Sequence, residues 1–151
     1  MMNVRTVFLL LVAALASGCA SMAGLQEHYL VCPYDTLWDV SLETLKERPI
    51  VTKDKAKGFI ETDWTDVPVA RTYGVLGRDI ANARDRSKVS VTLRKMDDVT
   101  KVSLAEVRER WKFRGGSRLY GWDQAEPSDE DIARLMQRLT KTLKERGCTL
   151  A

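Results

Sequence analysis

Three cysteines and a single histidine are the side chains here best suited to covalent or metal chemistry, and their spacing restricts what they can do. Cys19, Cys32 and Cys148 form no Cys-x-x-Cys pair, so a dithiol redox centre has little to start from. His28 stands alone in a β-prone stretch, and no carboxylates gather on a shared face with it, which argues against a metal site. The glycine-rich run GGSRLYG, residues 115–121, lacks the Lys-Ser/Thr end of a phosphate loop. No Gly-x-Ser-x-Gly occurs, and Asp97-Asp98 reads as a turn. The sequence predicts no catalytic residue, no metal and no cofactor. Two kinds of cysteine chemistry remain, acylation and disulfide formation.

The first concerns Cys19. One base, Arg5, precedes an apolar run from Val7 to Ala16. Ten helical residues rise only about 15 Å, half the hydrocarbon thickness of a bilayer, so a secretory signal is expected and a membrane span is not. The run ends Leu15-Ala16-Ser17-Gly18-Cys19, which looks like the lipobox of bacterial lipoproteins, with Ala16 where Leu is more usual. That resemblance implies cleavage after residue 18 and diacylation of Cys19. Ala20, in place of an Asp, implies export to the outer membrane with the domain facing the periplasm. The expected organisation is a signal peptide over 1–18, a lipidated tether over 19–27 rich in small residues, and one domain over 28–151. The ordinary alternative is a signal peptide with an incidental cysteine.

Removing residues 1–18 from the 151 would leave 133, one domain's worth. Arg5 leaves with that segment, so 23 bases would face 21 acids. Such a balance gives no reason to expect nucleic acid as a partner. In an oxidising compartment Cys32 and Cys148 are most simply a disulfide, the alternative being two separate buried thiols.

The elements that must position these groups follow from periodicity. His28–Cys32 reads as a strand stopped by Pro33. Asp35–Arg48 reads as a helix with Asp35 as N-cap and Pro49 as its stop, with Leu37, Trp38, Val40, Leu42 and Leu45 on one side. Ile50–Thr52 and Phe59–Trp64 flank a charged turn that ends in Gly58. Lys88–Arg94 alternates with Val89, Val91 and Leu93 inward, and Lys101–Phe113 returns with a bulge expected near Ala105, where the alternation slips. Ser128 caps a last helix striped by Ile132, Leu135, Met136, Leu139 and Leu143, with Gly147 beyond its end. Two one-faced helices need one apolar sheet face to cover. The predicted fold is therefore α+β: an antiparallel sheet with both helices on one face. Antiparallel helices would bring Cys32 and Cys148 to the same end.

Two stretches are left over, 65–86 and 114–127, each too long for a simple turn. Tyr73, Leu76 and Arg78 in the first, and Arg118, Tyr120 and Trp122 in the second, are the candidate partner-binding residues, because aromatics and arginine are enriched where partners dock. The competing account has Tyr120 and Trp122 packing, as Trp111 and Phe113 are expected to do at a strand end.

The stretch TLWDVSLETLKERPIVTKDKAKGFIETDW, residues 36–64, together with RDRSKVSVTLR, residues 84–94, resembles the BamC (NlpB/DapX) lipoproteins. Trp38, Leu42, Leu45, Gly58, Ile60, Thr62, Trp64, Arg84, Arg86, Val89 and Val91 carry the resemblance, and the final helix suits the same helix-grip domain. The resemblance implies an accessory role in the machine that inserts β-barrel proteins into the outer membrane. Those proteins carry two such domains and a long extended N-terminal segment; one domain and a tether of fewer than ten residues are expected here. The function expected from the sequence is a non-catalytic envelope interaction module held to the membrane by its lipid. A periplasmic lipoprotein that binds a lipid or other apolar ligand is the alternative, and an envelope structural lipoprotein a third possibility.

Overall fold

The computed structural model describes residues 23–69, 83–116 and 119–151. Its elements, in order, are β1 (Leu25–Val31), α1 (Tyr34–Thr44), β2 (Ile50–Asp54), β3 (Phe59–Thr62), β4 (Thr65–Val67), β5 (Arg84–Met96), β6 (Val99–Phe113), β7 (Tyr120–Ala125), α2 (Asp129–Glu145) and β8 (Thr149–Leu150). All strand pairs are antiparallel, in the order β2-β3-β5-β6-β1-β8, with β4 added to β5 and β7 to β6. This is the expected α+β architecture. The connection into the long hairpin is richer than expected: six strands, not four, separate the helices.

The spine is the β5–β6 hairpin, closed by Asp97 in the left-handed region and paired without a break from Met96↔Val99 to Arg84↔Trp111. No bulge interrupts β6 at Ala105. Thr100, Val102, Leu104, Glu106 and Arg108 all point inward and are buried, so the pleat continues. The hydrophobic alternation stops because its inward positions change from apolar to charged. The register shift instead lies in β2, between Ile50 and Thr52.

Leu30, Ile60, Val89, Val91, Leu93, Val102 and Leu104 form the apolar floor of the sheet. Leu37, Trp38, Val40 and Leu45 meet it from α1 and the turn beyond it, and Ile132, Met136, Leu139 and Leu143 from α2. The helices run antiparallel, since Glu43 pairs with Arg146 and Glu47 with Arg138. Cys32 and Cys148 accordingly meet at one end, with Cα atoms 4.9 Å apart, and are joined as a disulfide.

Helix ends differ in how well they were marked. Ser128 accepts a hydrogen bond from the Asp131 amide at 3.2 Å, and Gly147 follows α2 with φ +86°, as the sequence predicts. Asp35 does not cap α1: Pro33 is the cap and offers no side-chain bond, and the helix ends at Thr44, short of Arg48. Gly58 has φ +65° and lies against the Leu93 backbone, where a Cβ would overlap the carbonyl.

The tether boundary also moves. Residues 25–27 belong to β1, paired with β6 from Leu25↔Ala105, so the domain does not begin at 28. Gly24 is fixed as well: its N–H donates to Asp129 Oδ1 at 2.8 Å, and its carbonyl accepts from the Glu106 amide at 2.8 Å. Small residues looked like linker, but here smallness lets the backbone approach Pro127.

Candidate functional site

Beyond the helices, β5, β6 and β7 carry two contrasting faces. On the inner face the apolar floor gives way to charge. Asp85 is completely buried and accepts from Arg110 Nε and Nη2 at 2.7 and 2.8 Å. Arg108, 4% exposed, lies 3.4 Å from Asp85, 3.6 Å from Asp131 of α2, and donates to the Pro68 carbonyl at 2.8 Å. Glu106 accepts from the Ser128 amide at 2.6 Å, while its other oxygen is buried without a hydrogen-bond partner. Arg48 reaches in from the turn after α1 to Ser87; burial pushes its pKa down, against the opposing pull of Glu106 and Asp131. Each acid here is engaged by bases or by a helix-terminal amide. The arrangement fastens α2 and the turn after α1 to the sheet.

The outer, helix-free face carries aromatics. The Arg86 guanidinium lies 4.5 Å from the Trp64 ring centroid and 4.0 Å from that of Trp122, so it is held between the two indoles. Both its Nε and Nη2 donate to Glu109 Oε2, at 2.9 and 2.6 Å. Trp111 packs edge-on to Trp122 at 5.4 Å, Tyr120 stacks on Trp111 at 6.5 Å, and Phe113 meets Tyr120 edge-on at 5.6 Å. Three of the four tryptophans thus lie on this face; only Trp38 is in the core. Cross-strand registry explains the cluster, since Trp111↔Trp122 and Phe113↔Tyr120 are direct partners in β6–β7. Arg114 donates to the Trp122 carbonyl and pairs with Asp123, holding that carboxyl below the usual carboxylate range.

Of the predicted partner-binding residues, Tyr120 and Trp122 are in this cluster, on strand β7 and not in a loop. Residues 114–127 are mostly the return of a hairpin, whose alternation was hidden because Gly121 and Asp123 occupy the opposite face. Cys19, Tyr73, Leu76, Arg78 and Arg118 lie outside the described residues. Phe113 does not simply pack; it is 56% exposed. Trp64, Arg86 and Glu109 were not singled out as binding residues. Extending the Val89-Val91-Leu93 alternation back to Arg84 would have placed Arg86 on the outer face, but nothing local brings Trp64 or Glu109 to it.

Fold and surface together define a class: a sheet with both helices on one side and an arginine–tryptophan cluster on the other. Comparison with protein-family models found no match, and none of the curated proteins matches the chain.

Proposed function

We propose that this protein is a lipid-anchored, non-catalytic interaction module of the bacterial outer membrane, facing the periplasm and serving as an accessory in β-barrel protein assembly. The observation that carries the interaction reading is the Trp64–Arg86–Trp122 sandwich with Trp111 beside it. Aromatics and arginine are the residue types that dominate binding energy at interfaces. Here Arg86, Trp111 and Trp122 stand on paired strands and Trp64 on the two-residue link between β3 and β4, so docking would freeze few rotamers. The anchor and compartment rest on the sequence before residue 20, and the assembly role on the BamC resemblance.

An apolar ligand between sheet and helices has less support. That layer is filled by side chains such as Leu37, Val40, Leu104 and Leu139, all 0% exposed. A cavity of about 210 Å³ at the end of the sheet is walled by Glu47, Arg48, Asp131, Arg134 and Arg138 together with Val67, Pro68 and Leu135, a charged setting for a lipid tail.

Two measurements test the reading. Cys19→Ala is expected to leave unprocessed precursor, while intact mass of the natural mature chain gives an acylated Cys19 at its N-terminus; any other mature N-terminus removes the anchor. Trp122→Ala is expected to weaken capture of its envelope partner from crosslinked membranes by at least about thirtyfold, about 2 kcal/mol. Arg86→Lys, which keeps the charge and loses the planar stacking, is expected to weaken capture in the same direction. Melting temperature is recorded alongside. Unchanged capture with a lowered melting temperature in both variants would return the cluster to a packing role.

A further inference from the structure

The sheet treats its open edges unequally. β2 has a register shift between Ile50 and Thr52 and carries Lys53, β4 is three residues long and runs into Pro68, and β8 is two residues long. Bulges, lysines, prolines and short strands are how natural sheets keep an edge from pairing with another chain. β7 has none of these. It is six residues, Tyr120–Ala125, in unbroken register with β6, and no second strand pairs with it among the described residues.

The register decides which backbone groups are left open. The Arg114 N–H donates to the Leu119 carbonyl at 2.9 Å, and bonded pairs alternate along an antiparallel ladder. Gly121, Asp123 and Ala125 therefore turn their backbone groups to β6, and Tyr120, Trp122 and Gln124 turn theirs away from the sheet. Among the described residues no hydrogen bond engages those three amides, and of their carbonyls only that of Trp122 is engaged, by Arg114 Nη2 at 2.6 Å. A guanidinium stands there where a neighbouring strand's N–H would.

The two faces of this edge differ. Tyr120 and Trp122 stand with Trp111 on the outer face. Gly121 and Asp123 stand on the inner one, where Asp123 pairs with Lys112 and Arg114. Residues directly opposite in antiparallel strands share a face. A strand laid along β7 thus meets aromatic rings with every second residue, and glycine or an ion pair with those between. The sequence that suits it alternates apolar with polar residues, the pattern of a β-barrel strand with lipid on one side and water on the other.

Building on the interaction and assembly reading above, and resting on it, we propose that β7 is a docking edge that takes an extended segment of an unfolded outer-membrane β-barrel chain as an added antiparallel strand. Backbone bonds to Tyr120, Trp122 and Gln124 attach the segment whatever its sequence, and contacts with the Tyr120 and Trp122 rings select the two-faced pattern. The Arg114 guanidinium leaves the Trp122 carbonyl as the strand arrives.

The test uses the full chain as isolated from membranes, in detergent micelles with empty micelles as the blank. The probe is a short fluorescent peptide alternating Val, Tyr and Phe with Ser and Thr, its affinity read by anisotropy. In an antiparallel addition the peptide residues opposite Trp122 share its face, so the N–H groups of the apolar residues are the ones aimed at β7. N-methylating the apolar residues is expected to weaken binding at least about thirtyfold, and N-methylating the polar residues less than about threefold. Gln124→Pro removes an edge amide that β6 does not use and is expected to weaken the unmethylated peptide about tenfold. Equal weakening by the two methylation patterns, or the reverse preference, overturns the proposal. So does sedimentation in which two copies associate and Gln124→Pro separates them, which gives the edge to a second copy. Absence of peptide binding while Trp122→Ala still loses its envelope partner overturns the proposal and leaves the interaction reading standing; a Trp122→Ala chain that keeps its partner removes both.

Discussion

A variant with Cys32→Ser and Cys148→Ser is expected to lose about 4–5 kcal/mol of stability, the largest effect of any change considered. The bond links residues 116 apart in sequence, nearly the full span of the domain, and in the chain-entropy account the stabilisation grows with the loop that is closed. The native backbone already holds the two Cα atoms 4.9 Å apart, within the ordinary disulfide range. Urea denaturation of oxidised wild type and the double variant gives the difference directly. A loss below about 1 kcal/mol would mean that the unfolded chain is already held compact without the bond. The pairing was readable from cysteine count and the expected compartment, and the antiparallel helices supply its geometry.

Asp85→Asn is expected to cost about 3–5 kcal/mol despite the near-identical shape, because it removes a buried charge from two buried or half-buried guanidinium groups. Arg108 would keep only Asp131 at 3.6 Å and the Pro68 carbonyl. The sharper comparison is Asp85→Leu with Arg108→Met and Arg110→Met. Replacing all three by apolar groups is expected to recover much of the loss, since the charges were expensive to desolvate in the first place. Thermal and urea denaturation of the single and triple variants make the comparison. A triple variant as unstable as Asp85→Asn would show that the ion pairs shape this end of the sheet beyond balancing charge.

These two sites also mark where sequence reasoning succeeds and stops. Ser128, the stripe from Ile132 to Leu143 and Gly147 are local signals, and the helix they specify is present as read. The alternation Val89-Val91-Leu93 likewise fixed a strand and its inward face. Glu106 and Arg108 reversed the logic. Charge at an inward position looks like a slipped register unless its partners are known to lie opposite: Asp85 and Asp131 for Arg108, each 23 residues away, and the Ser128 amide for Glu106, 22 residues away. The strands β4 and β7 were missed for a related reason: three or six residues with glycine or charge carry too little periodicity to outvote a loop reading. Of the candidate surface, Tyr120 and Trp122 were legible by type. Their grouping with Trp64 and Arg86 depends on strand pairing across the sheet, which no window of sequence contains.

The placement of β1 has a mechanical consequence. If the proposed lipid anchor holds the chain, any pull from the membrane is first resisted by the fold at Gly24. From there β1 pairs antiparallel with β6 from Leu25 to Leu30, and with the short β8 only at Leu30 and Val31, the Ala151 amide also bonding to the Tyr29 carbonyl. A tug along the strand loads its hydrogen bonds to β6 together, in shear, where peeling would break them one after another. One residue past the strand, the Cys32–Cys148 bond stops the slide and passes the remaining tension to the end of α2. Under the proposed anchor, traction on the chain would thus be borne by the β1–β6 pairing and a covalent stop.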